Sequence, residues 1–214
     1  MKTTNLIGLD KDASQAVAAE LNQLLANYQV LYMNTRGYHW NIKGEQFFEL
    51  HVKFEEIYTD LQTKIDELAE RILTIGHTPD HSFSRYLEQS QIEEHQNAYR
   101  GKECVTGLVN GFSILIHRQR EILEQASQTN DEGTAALMGD YIREQEKLLW
   151  MLNAYLTNRC EKFNGRQGAL FVLFTSIVRC LSSQVYKVQG AGDRWNSSKT
   201  NSINRLKRNE RFMT

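Results

Sequence analysis

Apolar residues recur every three or four positions in four long stretches of the chain, which is the spacing of one buried face of an α-helix. The four stretches cover about residues 12–40, 44–76, 93–128 and 131–158. In the first stretch, Asp12 with Gln15 three residues later predicts the N-cap of a helix. The second helix is expected to end where Gly76 and Pro79 interrupt the repeat.

The connection between the second and third helices is longer than the others. It includes residues 81–89, where Phe83, Tyr86 and Leu87 predict one or two turns of helix. Four long amphipathic helices with short connections predict an all-α four-helix bundle, and the longer connection gives the chain room for a crossover.

Composition predicts one globular domain with an appendage, because the 214 residues are 41% apolar and 24% charged. From residue 165 onward there are nine Lys or Arg against two acidic residues, so this segment carries +7 while the rest carries −8. We therefore divide the chain into a bundle domain, residues 1–164, and a basic C-terminal extension of unknown structure, residues 165–214.

The sequence gives no sign of export or of a membrane anchor. Cys104, Cys160 and Cys180 are odd in number, widely spaced and lack a CxxC pattern, which favours a reducing compartment. The first twelve residues do not resemble a secretory signal, and the longest apolar run is about half of the ~20 residues that span a bilayer. We expect a cytoplasmic protein.

Four residues with metal-binding side chains stand out. His39 and His51 flank the turn between the first two helices, so the hairpin brings their imidazoles near one another. Asp66 and Glu70 are spaced i,i+4 and lie on one side of the second helix. Nitrogen and oxygen ligands of this mix suit a first-row divalent ion, especially iron, and so few protein ligands leave positions open for an oxidant.

Helix geometry restricts how these residues can form one site. His51 and Asp66 are roughly 22 Å apart on a continuous helix, so a single ion cannot contact both. If the four residues share a site, the two pairs come from different subunits whose second helices cross antiparallel about a twofold axis. From spacing alone, a packed interface histidine and an exposed acidic helix face remain alternatives.

Longer motifs carry a family resemblance. Residues 38–44 (YHWNIKG), 47–58 (FFELHVKFEEIY), 65–72 (IDELAERI) and 149–156 (LWMLNAYL) closely resemble the Dps-type mini-ferritins, the starvation-induced DNA-protection proteins of bacteria. The H-x11-H-x14-D-x3-E frame of His39, His51, Asp66 and Glu70 is specific to this resemblance, which covers about residues 5–160. It implies a ferritin-like bundle in a shell of twelve subunits.

The resemblance also implies a function. Such proteins bind iron between twofold-related subunits, with His39 and His51 of one chain facing Asp66 and Glu70 of the other. They oxidise Fe(II), preferentially with hydrogen peroxide, and store a ferric mineral inside the shell, which protects DNA from oxidative damage. The helices also lack a Glu-x-x-His motif suited to a di-iron site within the bundle.

Further residues are assigned with open alternatives. Trp40 is a candidate electron donor or a packing residue, and Glu55 a candidate outer contact of the site or a solvated helix residue. Asp131, Glu132 and Asp140 lie where similar proteins line iron-entry pores with acids, although an acidic helix start explains the first two as well.

DNA binding is the basis of an alternative function, a nucleoid-binding structural protein with little ferroxidase activity. The N-terminal segment is a poor candidate, because Lys2 and Lys11 are balanced by Asp10 and Asp12. The +7 extension is a better one, since Lys and Arg bind phosphates by releasing counterions. A lineage-specific segment without a DNA role is the competing interpretation.

Overall fold

A computed structural model describes residues 3–157 as an all-α fold, and no strand forms in that range. Helices α1, α2, α4 and α5 form the bundle, in which α1 packs on α2 and α4, and α4 packs on α5. The short helix α3 lies in the crossover and packs on α1. This confirms the predicted bundle. The helices are α1 (Lys11–Asn41), α2 (Phe47–Thr74), α3 (Phe83–Gln89), α4 (Gly101–Gln128) and α5 (Glu132–Leu156).

The apolar stripes predicted from the sequence face one another in the core. Leu21, Leu24 and Tyr28 of α1 are fully buried, as are Phe54 and Leu61 of α2. Burial of side chains of this size contributes about 1.5–3 kcal/mol each, so tertiary packing rather than helix propensity holds these long helices in place.

The N-cap of α1 is Asp10, so the prediction of Asp12 was wrong. The Asp10 carboxylate accepts hydrogen bonds from the backbone N–H groups of Asp12 and Ala13, both at 3.1 Å. Asp10 takes an extended conformation and forms a β-bridge with Thr4, which fixes where the chain enters the helix. Asp12 thus lies in the first turn, where its charge complements the helix dipole.

Helix α4 begins at Gly101, eight residues later than the predicted start at 93. The preceding segment is held in a loop by the Asn34 side chain, which donates to the carbonyl of Glu93 at 2.8 Å and accepts from the N–H of His95 at 2.9 Å. Asn97 has a left-handed φ of 59°, which a helix does not tolerate. Tertiary hydrogen bonds therefore override the helical pattern here.

None of the helices in the described part of the chain is long and apolar enough to cross a bilayer. Cys104 is buried as a free thiol. The predictions for Cys160, Cys180, the 164/165 domain boundary and the C-terminal extension fall outside the described residues.

Candidate metal centre

The turn between α1 and α2 places two histidines side by side. His39 lies in the last turn of α1 and His51 near the start of α2. Gly44, between them, has a φ of +115°, a conformation that glycine adopts without a steric penalty. The turn is anchored to the crossover segment, because the N–H of Lys43 donates to the carbonyl of Tyr99 at 3.0 Å.

The two imidazoles are locked by reciprocal hydrogen bonds. The Nδ1–H of His39 donates to the carbonyl of His51 at 2.8 Å, and the Nδ1–H of His51 donates to the carbonyl of His39 at 2.9 Å. Because a carbonyl only accepts, each Nδ1 carries the proton, and each neutral ring keeps the Nε2 lone pair for a metal. This is the outer-shell arrangement that fixes the orientation of histidine ligands in metal sites.

Aromatic contacts complete the packing of the histidine pair. The two imidazole rings stack with centroids 3.8 Å apart and planes 19° apart. Phe47 stacks on the outer side of His51 at 5.1 Å, and the edge of Tyr58 contacts His39 at 5.3 Å. These ring contacts were not predicted from the sequence, although Phe47 and Tyr58 lie four residues before and seven after His51, on the same helical face.

The carboxylate pair lacks the contacts that hold the two histidines. Asp66 and Glu70 are exposed on α2, and neither side chain has a hydrogen-bond or ion-pair partner among the described residues. Other charged groups of the same helix are paired, as Lys64 is with Asp60 and Glu144. Asp66 and Glu70 are therefore available to an external ligand.

The structure brings His39 and His51 together but does not bring them to Asp66 and Glu70. Helix α2 is unbroken over 28 residues, so the estimated separation of roughly 22 Å between His51 and Asp66 holds. Within residues 3–157, no three His, Cys, Asp or Glu side chains converge on one point. In the described part of one chain, the histidine pair and the carboxylate pair are thus two separate clusters.

The interior of the bundle is occupied by a different polar group. The phenol oxygen of Tyr28 accepts hydrogen bonds from Nε2 of Gln119 at 2.8 Å and from Nε2 of Gln145 at 2.5 Å, and all three side chains are buried. Burial raises the pKa of Tyr28, so the phenol stays neutral. Uncharged amide and phenol groups are poor ligands for a divalent ion, which favours the bundle surface for metal binding.

The three candidate pore residues differ in burial and in their contacts. Asp131 is 2% exposed, caps α5 through the N–H and hydroxyl of Thr134, and forms an ion pair with Arg71. These partners fit the helix-start alternative for Asp131 rather than a pore, whereas Glu132 and Asp140 are exposed.

Two residues beside the histidines are less constrained. Trp40 is 57% exposed, and the guanidinium of Arg36 lies 4.8 Å from its ring. The carboxylate of Glu55 accepts a hydrogen bond from Tyr58 at 3.4 Å. Glu55 thus reaches a side chain that itself contacts His39, and its predicted role as an outer contact stays a prediction.

Comparison with known proteins assigns the chain to a family. The ferritin-like domain matches residues 18–160. A crystal structure of a Dps protein from Vibrio cholerae O1, described as a member of a broad superfamily of ferritin-like diiron-carboxylate proteins, is 69% identical with a TM-score of 0.71, covering 73% of this chain and 98% of that one. A DNA protection during starvation protein from Porphyromonas gingivalis is 40% identical over 156 residues, 73% of this chain and 98% of that protein. The chain therefore belongs to the Dps-type mini-ferritins of the ferritin-like superfamily.

Proposed function

We propose that this protein is a ferroxidase that oxidises Fe(II), preferentially with hydrogen peroxide, at sites shared between twofold-related subunits. The ferric product is stored as a mineral inside a shell of twelve subunits, which protects DNA by removing iron and peroxide together. Iron storage and protection are the general functions of the family, and the shared site, the oxidant and the shell are the specific parts of the proposal.

The reciprocal lock of the histidine pair is the observation that carries the proposal. Hydrogen bonds from both Nδ1 atoms to carbonyls leave two Nε2 lone pairs in one half-buried patch, ready for an incoming ion. The pair alone is an incomplete ligand set. Asp66 and Glu70 of a second copy supply the hard oxygen ligands that an oxidised iron ion requires.

Mixing two inactive variants tests whether the site is shared. His39→Ala and Asp66→Ala are expected to abolish rapid Fe(II) oxidation when each is assembled alone. Co-refolding them in equal amounts forms mixed twofold pairs, in which one of the two sites combines intact histidines with intact carboxylates. Because half of the chains keep the histidines and half of their partners keep the carboxylates, about a quarter of all sites are restored.

Stopped-flow absorbance of Fe(III) formation after anaerobic Fe(II) loading and peroxide addition gives the readout. Recovery of about a quarter of the parental amplitude supports a shared site. No recovery in particles that light scattering shows to be fully assembled contradicts it. A His39→Ala/Asp66→Ala double variant mixed with parent is the control, since each site then needs both partners to be parental chains.

The alternative function, binding to DNA through the basic extension, stays a prediction. A gel shift with the full chain, compared with a chain truncated after Asn164, tests it. The extension-dependent shift should weaken steeply between about 50 and 200 mM salt if phosphate contacts dominate. An equal shift by both chains contradicts a role for the extension.

A further inference from the structure

A hydrogen-bonded tyrosine–histidine pair forms next to the candidate metal centre, between α1 and the loop that precedes α4. The hydroxyl of Tyr38 is 2.6 Å from Nδ1 of His95, although the two residues are 57 positions apart in the chain. Tyr38 is 1% exposed, and its ring meets the imidazole edge-on at 5.4 Å. A phenol and a base at this distance can exchange a proton without rearranging.

The surrounding residues set the direction of this hydrogen bond. The backbone of His95 is held by Asn34, and Nε2 of His95 lies 3.8 Å from the carboxylate of Glu103. That distance is too long for a hydrogen bond, but the negative charge on that side favours the tautomer with the proton on Nε2, which leaves a bare Nδ1 facing the phenol. The Tyr38 hydroxyl is therefore the donor, and a proton that arrives on Nδ1 gives an imidazolium beside Glu103.

Gly107 makes room for the pair within α4. A Cβ atom at this position would overlap the hydroxyl oxygen of Tyr38 and lie 3.0 Å from Nδ1 of His95. Glycine is unfavourable in a helix interior, so its presence here is explained by the close approach of the phenol and the imidazole. The absence of a side chain at Gly107 thus leaves the space that this hydrogen bond occupies.

Tyr38 is close to both candidate histidine ligands, one in α1 and one in α2. Tyr38 directly precedes His39 in α1, so their Cα atoms are about 3.8 Å apart. The Tyr38 ring packs on Phe54 at 5.9 Å, and Phe54 lies one turn after His51 in α2. The phenol ring is buried in contact with Phe54 and His95, and its hydroxyl group is hydrogen-bonded to His95.

We propose that Tyr38 is an internal one-electron donor for peroxide reduction, with His95 accepting its phenolic proton. Glu103 and Gly107 are positioning residues for this pair. The proposal rests on the proposed function, because it concerns the same reaction at the same site. It addresses a mismatch in electron number, since one Fe(II) gives one electron and cleavage of the peroxide O–O bond to two waters takes two.

The electrons and protons balance in two steps. In the first, Fe(II) and Tyr38 each give one electron to hydrogen peroxide, two protons from solvent complete two water molecules, and the phenolic proton moves to Nδ1 of His95. The products are Fe(III), a neutral tyrosyl radical and an imidazolium. In the second step, another Fe(II) reduces the radical and the proton returns from His95 to the phenol.

Freeze-quench electron paramagnetic resonance tests the proposal in the full-length assembled protein. Loading one Fe(II) per subunit under anaerobic conditions and adding peroxide should give a tyrosyl radical, whose hyperfine pattern collapses when the protein carries ring-deuterated tyrosine. Tyr38→Phe, which keeps the ring packed on Phe54, should abolish this signal. Tyr58→Phe removes a phenol hydroxyl but keeps the ring that contacts His39, and this variant should retain the signal.

A second variant separates proton acceptance from packing. His95→Gln keeps a hydrogen-bonding group opposite Tyr38 but removes the base, and it should lower the radical yield several-fold. Parental protein that forms Fe(III) without a tyrosyl radical overturns the proposal and leaves the proposed function intact. A signal that persists in Tyr38→Phe, or that is insensitive to tyrosine deuteration as a Trp40 radical would be, also overturns it. Failure of the parental protein to oxidise Fe(II) contradicts both this proposal and the proposed function.

Discussion

The two ends of α2 carry the two halves of the candidate site and are built differently. At the N-terminal end, His51 is stacked on His39, and both rings are hydrogen-bonded to main-chain carbonyls. At the C-terminal end, Asp66 and Glu70 extend into solvent with no partner in the part of the chain that the structure describes. The imidazoles are therefore positioned by the chain itself, whereas nothing in the described part of the chain positions the two carboxylates.

This difference follows from how each end is supported. The histidine rings are held by a tight turn and by aromatic neighbours, so little side-chain entropy is left to lose on metal binding. The exposed carboxylates retain that entropy. In the shared site that we propose, ordering them would be coupled to assembly, so the assembled protein would bind the ion more tightly than the free chain.

The largest expected effect comes from removing the core beneath the histidine end. Phe54 is fully buried, so Phe54→Ala should lower the free energy of unfolding by about 3–5 kcal/mol, measured by urea denaturation at fixed protein concentration. Phe54→Leu, which largely fills the same space, should cost less than about 1.5 kcal/mol. Similar losses for both variants would mean that this position is not tightly packed.

A second change tests the carboxylate end, where Arg71 and Asp131 are paired behind Glu70. Asp131→Ala removes the cap of α5 and strands a guanidinium that is 17% exposed, so about 3 kcal/mol of stability should be lost. The exposed neighbour change Glu132→Ala should stay within about 0.5 kcal/mol. Thermal denaturation of the two variants gives the comparison, and equal shifts contradict the structural assignment of Asp131.

A third pair of variants sharpens the contrast between the two ligand sets. His51→Ala removes a hydrogen bond and two ring contacts, and about 1–2 kcal/mol of stability should go with them. Asp66→Ala should change stability by less than about 0.5 kcal/mol. Both variants should nevertheless abolish rapid Fe(II) oxidation. If Asp66→Ala lost as much stability as His51→Ala, the carboxylates would also be held in place before an ion binds.

The smallest effect concerns a thiol near Tyr38. Burial raises the pKa of Cys104 to about 11, so at pH 8 it should react with Ellman's reagent roughly 100-fold more slowly than an exposed thiol. Between pH 9 and 11 the unfolded thiol ionises while the folded one does not, so folding stability should fall as the pH rises. Serine replacements of Cys160 and Cys180 isolate the signal, and Cys104→Ala should remove this part of the pH dependence.

Helix positions were predictable wherever one periodic apolar face decided them. The predicted second helix, 44–76, differs from Phe47–Thr74 by only a few residues at each end. The start of α4 was not predictable, because Asn34 in α1 and a left-handed Asn97 hold the preceding loop. Nothing within residues 93–100 themselves reveals a hydrogen bond from a side chain some sixty positions away.

The candidate site shows the same division. Residue types and spacing made His39, His51, Asp66 and Glu70 candidates, and the family resemblance selected them as one set; their assignment to a metal site shared by two chains stays a prediction. The ring stacking and the two carbonyl hydrogen bonds depend on the path of the turn through Gly44, which spacing does not specify. The Tyr38–His95 pair depends on the loop before α4, and a glycine within a helical pattern was its only visible trace.

The unbroken length of α2 also has a consequence for a pair of subunits in the arrangement we propose. Two antiparallel copies would form two equivalent metal sites. The distance between the sites would be roughly the 22 Å that separates His51 from Asp66 on one helix. At cellular salt concentrations, the electrostatic interaction between exposed charges decays over about 8 Å. A newly formed ferric charge at one site should therefore have little effect on the other site. The two sites would then bind iron independently, and iron uptake at these sites should show no cooperativity.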